Sequence, residues 1–187
     1  MSNPKLFLVL LGATPPGRII EQHDVFFGIG PDLRSLIPGM VKHWPEANGE
    51  IHIDGWQQIQ YANGYEIIVQ ERSEEITTPD NVKLFFINLG GYKPGEFEEY
   101  HYKMVVAASD KAAAIKLSKA TAFYKHTGYK GAESHIDDKY GIDVDDIHAI
   151  DDILPVSIKE KYRICLVPTD AVKENELHIG YFQLSKI

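Results

Sequence analysis

The chain says nearly the same thing twice. Residues 5–32 align without gaps on residues 83–110, 78 positions later, with ten identities: Lys5/Lys83, Leu6/Leu84, Phe7/Phe85, Leu11/Leu89, Gly12/Gly90, Pro16/Pro94, Gly17/Gly95, Glu21/Glu99, His23/His101 and Asp32/Asp110. Chance would supply about two at typical residue frequencies. A self-match at a fixed offset sets the architecture before any local pattern does. With two copies it predicts a pseudo-dimer rather than a solenoid. One unit offers a single helix to cover a single sheet, whereas two can bury a shared core across a pseudo-two-fold.

Each copy reads as β-β-α-β-β. An apolar strand (Leu6–Leu11, Leu84–Leu89) ends at a glycine, and a Pro-Gly loop follows. A second strand carries a Glu-x-His phrase, and Asp32 or Asp110 then opens a helix as its cap. In copy one Leu33, Leu36, Ile37, Met40, Val41 and Trp44 form a helical apolar stripe, so Trp44 reads as core. Pro38-Gly39 predicts a kink or break within that helix. The second helix is expected from Asp110 to about His126, stopping at Gly128. Third strands follow: "EIHIDGWQQIQY" in copy one, with His52, Asp54 and Trp56 on one face and Ile51, Ile53 and Ile59 on the other. In copy two both "HID" at 135–137 and "GID" at 141–143 compete for that position. The strands "NGYEIIVQE" and "EKYRICLVP" correspond as fourth strands, the former opened by an Asn-Gly turn signal. "ELHIGYFQL" makes a final strand. The expected fold is α+β, with mainly antiparallel sheets and one principal helix per unit; the expected domains are residues 1–80 and 81–187.

Composition narrows the function classes. The net charge of −8, with no Lys/Arg cluster, argues against nucleic acid or an anionic membrane surface as partner. The only cysteine, Cys165, excludes an intrachain disulfide framework and a cysteine-based zinc cluster. It reads as a small buried hydrophobe in a strand, and the lack of disulfides points to a reducing cytoplasm. "KLFLVLLGA" has the outline of a signal peptide, but "KLFFINLGG" repeats it at 83–91, so both read as strands. No apolar run approaches the roughly 20 residues that span a bilayer.

Chemistry concentrates in a few residues. Glu21 and His23 share a strand face, as do Glu99 and His101, and His52 and Asp54 make another same-face pair. A Glu beside a His at the mouth of a Pro-Gly loop fits hydrogen-bonded loop locking. It also fits acid–base work, or two ligands to a metal if the faces meet. Trp56 is a candidate contact surface. The acidic run "DDKYGIDVDDIHAIDD" lacks the EF-hand glycine and its closing Glu, and reads as solvated. Neither "GATPPGR" nor "GIGPD" is a phosphate loop, and no G-x-S-x-G or H-E-x-x-H occurs.

Taken together, the phrase "KLFLVLLGA…PGR…EQHDVFFGIG…D…HW…HIDGW" resembles the bacterial family called domain of unknown function 1543 (DUF1543), whose members carry the unit once or twice. The resemblance is clearest over residues 5–72 and looser over 83–154, where Tyr102 stands in place of Asp24. It implies no activity, substrate or cofactor. The expectation is a small cytoplasmic module that binds a small molecule or a protein through Glu21, His23, Asp24, His52, Asp54, Trp56, Glu99 and His101. A homodimer is compatible with it; no catalytic residue, metal or cofactor is assigned. The alternative is a metal-binding or hydrolytic enzyme built on the Glu-x-His and His-x-Asp pairs.

Overall fold

The structure, a computed structural model, describes residues 3–73, 81–93, 95–120 and 142–187. Pro94, the "HID" at 135–137, Gly141 and the second helix beyond Ala120 therefore lie outside the described residues. The chain divides into two compact units, residues 1–78 with 154–187, and residues 79–153. The described residues form a mixed α+β fold whose paired strands are antiparallel throughout. None of their helices is long and apolar enough to cross a membrane.

Unit 1 holds β1 (Lys5–Ala13), β2 (Gln22–Gly30), α1 (Ile37–His43), β3 (His52–Gln58), β4 (Tyr61–Ala62), β5 (Tyr65–Glu71), β9 (Tyr162–Pro168) and β10 (His178–Gln183). Unit 2 holds β6 (Lys83–Tyr92), β7 (Glu99–Ala108), α2 (Lys111–Ser118), β8 (Ile142–Ala149) and the single turn α3 (Ile150–Ile153). A short α4 (Val156–Lys161) leads back into β9.

The main sheet of unit 1 runs β10-β3-β1-β2. The odd-numbered side chains of β1 (Phe7, Val9, Leu11 and Ala13) point to a core shared with Phe26, Leu33, Leu36, Met40 and Ile53. Alternation on a strand with period two fixes this face, and α1 covers it. Asp32 accepts from Ser35 N–H at 2.8 Å, but this bond lies at the entry to a 3-10 turn at Arg34–Leu36, whose N-cap residue is Leu33, rather than at the helix itself. The α-helix begins at Ile37 with Pro38 in its first turn. Proline has no N–H to lose there, so the expected kink becomes a helix start. Trp44 packs against this core.

The opposite face of β1 is apolar at one end, where Leu6, Leu8, Phe27 and Ile29 are buried. Its other end carries Gly12, flanked by His23 on β2 and His52 on β3. A second sheet, β4-β5-β9, is tied back by Asn175, whose side chain accepts from the N–H groups of Gln60 and Tyr61 and donates to Tyr61 O. The two strands that correspond in sequence pair with each other here, Ile68 opposite Cys165.

Unit 2 is a three-stranded sheet, β7-β6-β8, whose odd face packs Phe85, Ile87 and Leu89 with Val106 and Ala114 of α2. Asp110 caps α2 as expected, accepting from Ala113 N–H at 2.8 Å. The pairing on β6 puts Val144 opposite Leu89 and Asp143 opposite Gly90. Asp143-Val144-Asp145 thus faces β6 as His52-Ile53-Asp54 faces β1, and "GID" is out of step by two residues. The register slips between Leu10 and Leu11 in unit 1 and between Asn88 and Leu89 in unit 2, again 78 positions apart.

Candidate functional site

That slip builds the site. Leu10 pairs with Gly55 and Leu11 with Ile53, so Asp54 is an extra residue bulged out of β3. A bulge reverses the side-chain phase beyond it. His52, before the bulge, stays on the Gly12 face, while Trp56, after it, pairs with Val9 and packs into the α1-side core against Phe7. The expectation that Trp56 shares a face with His52 is therefore corrected. Trp56 instead stacks on His178 of β10, with ring centroids 3.8 Å apart and planes 11° apart.

Over Gly12, four side chains close into a ring in which imidazole and carboxylate alternate. His52 Nε2 lies 3.0 Å from Glu21 Oε1 and 3.3 Å from Asp54 Oδ1; His23 Nε2 lies 3.2 Å from Asp54 Oδ2 and 3.6 Å from Glu21 Oε2. The missing Cβ of Gly12 makes the room. A methyl there would fall well inside contact distance of Asp54 Oδ2 and His52 Nε2, and 2.9 Å from His52 Cε1. His52 is 8% exposed and Tyr181 covers it, with ring centroids 4.4 Å apart. Despite the short distances, His52 Nε2 and Asp54 Oδ2 are buried without a hydrogen-bond partner, because the neighbouring atoms lie off the donor and acceptor directions. The contacts of the Glu21–His23 pair thus run to other side chains of this ring, which is not the backbone lock that its place at the loop mouth suggested.

Asp24 does not join them. It pairs with Leu11, on the opposite face, where its carboxylate meets His43 Nε2 at 3.0 Å and accepts from Val25 N–H at 2.7 Å. Burial raises its pKa, but the hydrogen bonds from His43 and Val25 outweigh this and hold it below the usual carboxylate range. In unit 2, Glu99, His101 and Asp145 cluster over Gly90, with His101 Nε2 3.4 Å from Asp145 Oδ2 and 3.9 Å from Glu99 Oε2. All three are exposed. The eight candidate residues thus fall into a ring closed around buried His52, a separate exposed cluster, and two members, Asp24 and Trp56, turned elsewhere.

A cleft of about 740 Å³ opens onto the ring, lined by Glu21, His52, Tyr181, Gln183, Thr14 and Glu50 together with apolar Ile37, Val41 and Ile51. Beside it, Trp56, Leu33, Phe182 and Ile187 line an apolar hollow of about 480 Å³. Residues 18–69 match the Domain of Unknown Function (DUF1543). The DUF1543 segment runs from the loop before β2 into β5, so it contains the whole ring; Gly12, His178 and Tyr181 fall outside it. Among solved structures the chain is similar to protein Il1583 from Idiomarina loihiensis, at 26% identity and a TM-score of 0.66, covering 97% of this chain and 98% of that one. No curated protein matches. The aromatic cover from β10 is what the sequence reading missed, and the ring-bearing His178, Tyr181 and Phe182 close together in the last strand were the available signal.

Proposed function

We propose that the chain is a small-molecule binding module whose ligand sits in the unit 1 cleft against His52 and Tyr181. The observation that carries this is a concave volume of about 740 Å³ lined by His52, whose buried Nε2 has no hydrogen-bond partner. Ligand sites are commonly of this size, apolar with a few convergent polar groups. The lining includes Glu21 and Glu50 and no Lys or Arg, which favours an uncharged or cationic ligand over an anion. Supporting readings go with it. Equal spacing of the identities, the register slips and the two glycine-centred clusters favours a tandem duplication with units near 1–80 and 81–187. The buried lone thiol favours a cytoplasmic location.

The test is a saturation-transfer NMR screen of a soluble fragment library against the wild-type chain and Tyr181→Ala. Fragments are expected to bind in the wild type, shift the His52 ring resonances, and be lost or weakened in the variant. Hits that bind both proteins equally, or no hits at millimolar fragment, refute the reading.

A further inference from the structure

The floor of the same cleft carries a second inference, which rests on reading that cleft as a binding site. We propose that Glu21, His52 and Asp54 hold a divalent first-row transition-metal ion, with His23 bridging the outer oxygens of both carboxylates. Each of the three offers a donor atom, and these atoms all lie within 4.8 Å of one another. Ligands at about 2.0–2.1 Å from zinc in tetrahedral geometry stand roughly 3.3 Å apart. The spacings here, 3.0 Å from His52 Nε2 to Glu21 Oε1 and 3.3 Å to Asp54 Oδ1, match that separation.

The direction of approach says more than the distance. In a hydrogen bond the carboxylate oxygen lies along the N–H axis. Around a metal the ion takes that axis, and neighbouring ligand oxygens lie beside it, close but misaligned. His52 Nε2 has this second arrangement: two oxygens within 3.3 Å, no hydrogen bond, and only 8% of the residue exposed. Two carboxylates converging on a buried imidazole also repel each other, and a dication between them offsets the repulsion. Gly12 keeps the volume above the central strand clear of a Cβ.

The donor set chooses the ion's class. An imidazole among carboxylates suits zinc, iron, cobalt or nickel; calcium and magnesium prefer oxygen alone. His23 faces Oε2 and Oδ2, the oxygens turned away from His52, so it acts as a positioning residue for the two carboxylates. Three protein ligands leave a coordination position open toward the cleft, where a water or a ligand heteroatom can enter.

The experiment titrates zinc chloride into the full chain, stripped of metal with EDTA and dialysed, by isothermal calorimetry. Cobalt(II) spectra report coordination number in parallel. The expected result is saturable binding at micromolar zinc in a tetrahedral or five-coordinate cobalt spectrum. It should be lost in His52→Ala and Glu21→Gln, weakened about 10–100-fold in His23→Gln, and kept in His101→Ala. Glu21 is half-exposed, so Glu21→Gln keeps the test sound if His52→Ala does not fold. Absence of saturable binding in the wild type overturns the metal centre, as does binding undiminished in both ring variants or binding lost only in His101→Ala. Each failure leaves the fragment screen unaffected, because fragments contacting Tyr181 and the apolar wall register without zinc. A ring that binds no metal is then an ion-pair network of the apo protein.

Discussion

Replacing Gly12 by alanine tests the architecture of the ring without touching a charge. The glycine sits mid-strand between His23 and His52, and the added methyl would intrude on Asp54 Oδ2 and His52 Nε2 while lying 2.9 Å from His52 Cε1. His52 has Tyr181 against its face and cannot retreat freely. Overpacking a filled site costs about 1–3 kcal/mol. In a chain of this size that lowers Tm by roughly 2–12 °C, at about 2–4 °C per kcal/mol. Both tryptophans, Trp44 and Trp56, lie in unit 1, so urea unfolding followed by their fluorescence reports on the unit that contains the ring. The expected result is a lower midpoint with an unchanged slope. Asp54→Ala removes the carboxylate that the methyl meets, so combined with Gly12→Ala it should recover part of the loss, a coupling of at least about 0.5 kcal/mol. An unchanged midpoint, or strict additivity in the pair, would show that Asp54 and His52 do not close over the strand.

Two further outcomes follow from groups outside the ring. The folded-state pKa of Asp24 lies below its unfolded value, so its ionised form favours the folded state. That contribution is complete above the unfolded pKa of about 3.9 and is lost as pH falls through the folded value. Asp24→Asn should therefore flatten the stability loss on acidification below about pH 4; an acid limb identical to the wild type refutes the assignment. Cys165 is 1% exposed and burial pushes its thiol pKa up, an effect Arg163 only partly opposes. Ellman's reagent at mildly alkaline pH should label it slowly in the native chain and at once in denaturant; immediate native labelling refutes its burial.

Much of the fold is legible in the residues. The repeated phrase implied like strands at like spacing, and the 78-residue offset recurs in the register slips beside Leu11 and Leu89. Asp110 caps its helix because its short carboxylate reaches the first-turn N–H groups. Half of the site is legible too, since period-two alternation puts Glu21 with His23 and His52 with Asp54 on single faces. What alternation cannot show is an inserted residue. One bulge at Asp54 carried Trp56 through the sheet, and Gly55 beside it was the local hint that the ladder could bend there. Tyr181 and His178 were hidden for another reason. They come from more than a hundred residues away, and which strand borders β3 is decided by tertiary pairing rather than by any local pattern.

Gly12 joins these threads. As punctuation it ends an apolar strand, yet β1 runs on through Ala13, and β6 passes Gly90 to reach Tyr92. A glycine inside a strand weakens it, so its presence signals that something else approaches the backbone closely. In unit 1 that something is the imidazole of His52 and the carboxylate of Asp54; in unit 2 it is the carboxylate of Asp145, with Asp143 in the register position that His52 holds on β3. The same gap in side-chain cover therefore frames two Glu/His/Asp sets, one whose imidazole is buried beneath Tyr181 and one exposed in all three members. Burial of the imidazole, which leaves His52 Nε2 without a hydrogen-bond partner, separates the unit 1 set from a group of solvated charges. That difference is why the argument for a metal centre attaches to unit 1 alone.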